Sequence, residues 1–181
     1  MSTSATSRTL LLPPARVRRT LTRLAYEIVE RNRGGETLEV FGIRTRGVAL
    51  AETIAEVIGE VEGLSLHVHP LDVTPFRDDL ESSAGSEQAP TPKPLDPRPE
   101  VEGRNVVLVD DVLFTGRTVR AAIDAVLYYG RPASIQLAVL IDRGHREYPI
   151  QPDFVGRTIP TKHRERVLVE VGDEVAVYLE E

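Results

Sequence analysis

Apolar residues recur along this chain at two alternating periods, and the alternation predicts its elements. Val17, Leu21, Leu24 and Ile28 fall at helical spacing between Pro13-Pro14 and Gly34-Gly35, so 15–33 reads as an amphipathic helix. Thr37 to Ile43 reads as a strand. Val48, Ala51, Ile54, Ala55 and Ile58 form a second helical stripe that ends near Gly59 or Gly63. Leu64, Leu66 and Val68 alternate in the manner of a strand that runs on towards Val73. Val106–Val109 and Ile135–Ile141 are continuous apolar runs, typical of strands covered on both faces. A helix from about Gly116 to Tyr129 separates them. Two short strands, Val167–Val171 and Val175–Leu179, hinge at Gly172-Asp173.

Alternating strands and helices predict an α/β fold around a largely parallel sheet. Two stretches break the pattern. Residues 1–9 are mostly Ser and Thr, so 1–14 is expected to fray ahead of one domain spanning 15–181. Between Ser82 and Pro99 stand five of the thirteen prolines, and the only apolar side chains there are Ala84, Ala89 and Leu95. Such a stretch buries too little to offset its ordering entropy, which predicts a mobile loop.

Composition narrows the chemistry. The chain has 181 residues, enough for a sizeable core, and no cysteine, so disulfide scaffolds, thiolate metal sites and Cys nucleophiles are excluded. The missing thiols fit a cytoplasmic protein. The longest aliphatic run near the N-terminus, Leu10–Leu12, is too short for a signal peptide or a membrane span. A net charge of −6 argues against a globally basic nucleic-acid binder, although twenty of the twenty-two basic residues are Arg, the side chain suited to bidentate phosphate contacts.

The densest signal is the block Val106-Val-Leu-Val-Asp110-Asp111-Val112-Leu113-Phe114-Thr115-Gly116-Arg117-Thr118. A buried strand delivers two carboxylates, and a short turn brings Thr115–Thr118 to the first turn of a helix. In open α/β sheets ligands sit beyond the carboxyl ends of the strands. A helix start there offers free N–H groups to a phosphate, and glycine lets the backbone approach closely. The carboxylates suit ribose hydroxyls or water on Mg²⁺. They read as surface groups at a cleft with no structural role. A receiver domain would place its acid pair after the first strand and a Lys at the last. A P-loop would need G-x-x-x-x-G-K-[ST], which the chain lacks.

This block resembles the phosphoribosyl-pyrophosphate (PRPP) signature of type I phosphoribosyltransferases. Together with Gly42-Ile-Arg-Thr-Arg-Gly47, Arg77-Asp-Asp-Leu80, Gly130-Arg-Pro132, Ile135 to Glu147 and Gly156-Arg-Thr-Ile-Pro-Thr161, it resembles the PyrR family from about Arg16 to Leu179. That family comprises bacterial regulators of pyrimidine biosynthesis that also carry uracil phosphoribosyltransferase activity. The resemblance implies the type I fold, with a largely parallel central sheet, a small hood and a lid at about 75–103. It implies transfer from PRPP to uracil, giving UMP, with Mg²⁺ bound mainly through PRPP. It also implies UMP-dependent binding to a pyrimidine operon mRNA leader, and assembly into dimers or larger homo-oligomers. A phosphoribosyltransferase for another nucleobase without an RNA role is the alternative.

By the same resemblance, Arg44, Thr45, Arg46 and Gly47 form the pyrophosphate loop. Asp110 and Asp111 hold the ribose, and with Arg77 they are the catalytic candidates. Val112, Leu113, Phe114, Thr115, Gly116, Arg117 and Thr118 complete the PRPP site, while Asp142-Arg143 and Ile159-Pro160 belong to the hood that selects the base. Arg19, Arg23, Arg143, His145, Arg146 and Arg157 are candidates for RNA contact. The chain departs from the family pattern in having Pro75-Phe76 before Arg77-Asp-Asp, Tyr26 where His is common, and a longer Pro-rich stretch.

Overall fold

The computed structural model describes residues 7–78 and 91–181. Five parallel strands form the central sheet: β2 (Leu38–Ile43), β3 (Val68–Leu71), β4 (Asn105–Leu113), β5 (Ser134–Asp142) and β6 (Phe154–Thr158), in the spatial order β3-β2-β4-β5-β6. Helices α1 (Pro14–Asn32) and α2 (Arg46–Glu62) cover one face, and α3 (Arg117–Leu127) covers the other. The strand β4 shows why its apolar run is unbroken. Val107 and Val109 join the core under α1 and α2, whereas Val106 and Leu108 join the core under α3.

Both long helices follow their predicted stripes. Val17, Leu21, Leu24 and Ile28 are buried on α1, which stops at Arg33 in a left-handed conformation with φ 57°. Leu50, Ala51, Ile54, Ala55 and Ile58 are buried on α2, whose cap is Gly63. At the start of α2 the packing is tighter still. A Cβ on Gly47 would lie 2.4 Å from the Val109 carbonyl, so only glycine lets this turn rest on β4 beside the acid pair.

A second, antiparallel sheet is built from β1 (Arg8–Leu12), β7 (Arg166–Val171) and β8 (Val175–Glu180), in the order β1-β8-β7. The expectation of a frayed 1–14 is thereby corrected from Arg8 onwards. Arg8 pairs with Glu170 at 2.6 Å and stacks over Tyr178 at 3.7 Å, and Leu12 is buried. Two further differences concern strands. Residues 64–67 are not part of β3, and β6 is an element the periodicity did not predict.

The Pro-rich segment divides in two. Residues 79–90 lie outside the described residues, so the expected lid over about 75–103 is described only at its two ends. Thr74–Phe76 is a 3-10 turn. From residue 91 the chain is held against the body, contrary to the mobile loop expected up to Pro99. Pro92, Pro99 and Val101 are buried, Leu95 packs on the core under α3, and the Tyr129 hydroxyl donates to the Lys93 carbonyl.

Candidate active site

Every chemically suggestive segment emerges from the same edge of the parallel sheet, beyond its carboxyl ends. There β2 delivers Arg44–Arg46, β3 leads to Arg77, β4 ends in the acid pair and the turn to α3, and β5 ends at Asp142. They enclose a cleft of about 1010 Å³, lined by Arg44, Thr45, Arg46, Arg77, Asp110, Asp111, Val112 and Thr118. Val169–Gly172 and Glu174 of the small sheet close its far wall. An adjoining recess of about 320 Å³ is lined by Arg77, Asp110, the residues from Val112 to Val119, and Glu147. Arg77 and Asp110 border both spaces.

The recess is built for an anion. Gly116 is the N-cap of α3 at φ 91° and has no side chain with which to cap it, and the first turn of the helix holds no acid. Its N–H groups therefore face the recess with few internal partners, and the positive end of the helix dipole points the same way. The Thr115 hydroxyl accepts from the Arg117 N–H at 3.3 Å, and the Thr118 hydroxyl accepts from Arg77 at 3.3 Å. Arg44, Arg46 and Arg77 bring positive charge to the larger cleft.

The acid pair lies deeper than the surface groups at a cleft expected from sequence. Asp110 lies within β4 with 7% exposure, and one carboxylate oxygen accepts the Asp111 N–H at 2.9 Å. Burial, and then repulsion from Asp111, push the Asp110 carboxyl well above its usual range. Asp111 is half-buried. One of its oxygens accepts the Val112 N–H at 2.8 Å and the other lies 3.6 Å from the Arg46 guanidinium. No group of three or more His, Cys, Asp or Glu positioned for a metal ion occurs among the described residues. The two adjacent carboxylates in the polar cleft are hard oxygen donors of the kind that a divalent cation takes.

A second constellation was not anticipated. Arg117 binds Glu147 at 2.6 Å and Asp78 at 3.1 Å, and the Tyr148 hydroxyl donates to the same Asp78 carboxylate. The Tyr148 hydroxyl and then the Arg117 guanidinium hold Asp78 below its usual carboxyl range. The only sequence signal for this group was the Arg-Asp-Asp string.

The hood and RNA candidates divide. Ile159 packs on the core and Arg143 is buried, and neither lines either cavity. The Arg143 guanidinium stacks on Phe114 at 4.1 Å and donates to the Thr161 hydroxyl and the Lys162 carbonyl. Arg146 is no solvated charge: it binds Asp142 at 2.7 Å with a side chain 17% exposed. Burial raises the Asp142 carboxyl, but Arg146 and the Gly144 N–H outweigh it and leave the group below its usual value. Arg23 is engaged with Glu27 and the Val155 and Gly156 carbonyls. Arg19 and Arg157 are exposed.

A five-stranded parallel sheet with an acid pair near the carboxyl end of β4 and an anion recess beyond it is the architecture of a phosphoribosyltransferase. Residues 11–171 match the phosphoribosyl transferase domain. The fold resembles a hypoxanthine phosphoribosyltransferase of Trypanosoma cruzi, with TM-score 0.70 and 19% identity over 93% of each chain. It also resembles a hypoxanthine phosphoribosyltransferase of Staphylococcus aureus, with TM-score 0.64 and 19% identity over 84% of this chain and 77% of that one. Both likenesses concern the fold alone. Sequence similarity is far stronger to Bifunctional protein PyrR of Bacillus cereus (strain B4264) and of Bacillus anthracis (strain CDC 684 / NRRL 3495). Each is 47% identical over 174 residues, 93% of this chain and 96% of the relative. The chain belongs to the phosphoribosyltransferase family and, within it, to the PyrR family. Among the described residues, no helix is long and apolar enough to cross a membrane.

Proposed function

We propose that this chain transfers the phosphoribosyl group of PRPP to uracil, and that with UMP bound it attenuates transcription by binding a pyrimidine mRNA leader. The observation that supports the first part is the position of the acid pair between the turns that start α2 and α3, at the cleft and the recess that those turns line.

In this reading the 5′-phosphate rests on the N–H groups and hydroxyls of Thr115–Thr118. Asp110 and Asp111 accept from the ribose hydroxyls, and Arg44–Arg46 receive the diphosphate. Uracil N1 bonds to the anomeric carbon and its proton passes to solvent water. The bond to the diphosphate oxygen breaks, and the diphosphate leaves with the electron pair. Charge grows on the ribose and on the leaving group together, so carboxylates beside the sugar and guanidinium groups beside the diphosphate both stabilise the transition state. Asp110 and Asp111 would hold a Mg²⁺ ion brought by the diphosphate, and the ion would supply charge neutralisation there. Val112, Val169 and Val171 offer the base apolar contacts.

The test is an assay of PRPP with a panel of nucleobases, following nucleotide and diphosphate release. UMP formation far ahead of the other products supports the reading. Preferential transfer to another base overturns it in favour of a phosphoribosyltransferase of different specificity.

A further inference from the structure

The loop leaving β5 is bonded to the phosphate turn along its whole length. The Arg143 N–H donates to the Leu113 carbonyl at 3.1 Å, and the Glu147 and Tyr148 N–H groups donate to the Thr115 carbonyl at 2.9 and 3.0 Å. Arg146 closes the joint. Its guanidinium donates to the Phe114 carbonyl at 3.1 Å, the Ile150 carbonyl at 2.9 Å and the Asp142 carboxylate at 2.7 Å. Its donors are committed to the interior, and its charge is already paired.

The outer side of this joint carries a pair of imidazoles. His145 and His163 pack with ring centroids 4.3 Å apart, and each presents an edge relationship to Phe114, at 6.0 and 6.2 Å. Phe114 immediately precedes Thr115, so one aromatic ring is shared between the recess and the outer face. Any shift of residues 113–117 must move the carbonyls that loop 143–150 holds, because leaving such acceptors unpaired is costly.

We propose that loop 143–150 transmits occupancy of the 5′-phosphate recess to the His145–His163 face, with Arg146 as the positioning residue of the joint. This deepens the nucleotide-dependent RNA-binding reading and rests on it for its consequence, whereas the mechanical link is testable without RNA. Arg146 then influences RNA through the phosphate turn and not by touching an RNA phosphate.

Amide hydrogen exchange on the wild-type protein, with and without UMP, is the first measurement. Slowed exchange in both 115–118 and 143–150 supports the link; slowing confined to 115–118 overturns it. The second is calorimetry of UMP binding to Arg146→Lys, which keeps the charge and loses the fork. UMP affinity is expected to fall about tenfold or more, with loss of the UMP-induced slowing at 143–150. Unchanged UMP affinity in the folded variant overturns the positioning role. Should the variant not fold, the wild-type exchange result decides. Absence of leader binding by the wild type, with the exchange link intact, removes the RNA reading and leaves the link standing.

Discussion

Arg77 donates from its guanidinium to the hydroxyl of Thr118 at 3.3 Å, tying the chain that follows β3 to the first turn of α3. This places one cation where the phosphate recess meets the larger cleft. A charge at that junction can respond to the diphosphate as its bond to the sugar breaks. Arg77→Ala is expected to lower turnover by roughly 10²-fold, the scale of losing one preorganised donor to developing charge. Arg77→Lys should recover part of that loss. Steady-state kinetics with PRPP as the varied substrate checks both, and wild-type turnover in Arg77→Ala would remove the residue from the reaction.

Gly116 occupies φ 91°, and a Cβ there would lie 3.3 Å from Cβ of Tyr148 and 3.5 Å from Ile150. Gly116→Val therefore reshapes the turn that presents the helix N–H groups. It is expected to abolish measurable UMP and PRPP binding while the protein stays folded, since an unfavourable left-handed residue costs only about 1–2 kcal/mol. Calorimetry on the folded variant is the check. Unchanged affinity there would move the phosphate elsewhere.

Asp110 gives a pH dependence whose sign follows from its burial. Because burial and Asp111 raise its folded pKa, the folded chain holds this proton more firmly than the unfolded chain does. The ligand-free protein therefore loses stability as pH rises from the ordinary carboxyl range through the raised folded value. Asp110→Asn removes the titration and keeps an acceptor for the Asp111 N–H. It is expected to melt higher than wild type at about pH 8, with the difference vanishing near about pH 4. Turnover should nevertheless fall by roughly 10²-fold if the carboxylate has its proposed place beside the ribose. Melting curves across pH test the first claim. A pH-independent offset would show that Asp110 is not a buried charge in the free protein.

The Tyr148 hydroxyl donates to the Asp78 carboxylate that Arg117 also binds, so a loop after β5 anchors the residue next to Arg77. Tyr148→Phe leaves the aromatic stack with Arg117 and deletes the hydroxyl, which donates to Asp78 and accepts from the Arg117 guanidinium at 3.0 Å. The KM for PRPP is expected to rise several-fold while kcat changes less than about twofold, as for a lost ground-state contact. An equal fall in kcat and kcat/KM would instead assign the hydroxyl to the transition state.

What the sequence revealed was what is local. The stripe from Val17 to Ile28 and the runs at Val106 and Ile135 lie within single elements, so periodicity alone placed them. The acid pair and Thr115–Thr118 were legible because strand, turn and helix start are contiguous. In contrast, Arg8–Leu12 becomes a strand only by pairing with β8 at the opposite end of the chain, Arg8 facing Glu180. Nothing near Arg8 announces that. Phe154–Thr158 is short and runs beside β5 with a glycine in its middle, which blurs any alternation. The cleft wall at Val169–Glu174 likewise comes from a sheet whose placement depends on distant contacts. Charge alone makes Arg146 a candidate for RNA contact and says nothing of its depth, although its i,i+4 spacing from Asp142 points to the ion pair.

The last prediction concerns RNA and separates exposed arginines from committed ones. Arg16, Arg19 and Arg23 fall at helical spacing on α1, and Arg23 reaches the Gly156 carbonyl, which brings this helix face beside Arg157 on β6. Of the six candidates, Arg19 and Arg157 are exposed without an ion pair among the described residues, whereas Arg23 is bound to Glu27. A basic face of this kind can track phosphates despite a net charge of −6. Arg19→Glu is expected to weaken leader binding markedly, and to lower the salt dependence by about one released counterion per lost phosphate contact. Uracil transfer should stay within about twofold of wild type, because α1 contributes nothing to either phosphate-binding turn. UMP should tighten RNA binding, and by linkage RNA should tighten UMP by the same factor. Filter-binding titrations at two salt concentrations, with and without UMP, measure all of this. Affinity insensitive to both salt and UMP would leave the chain with its transferase activity alone.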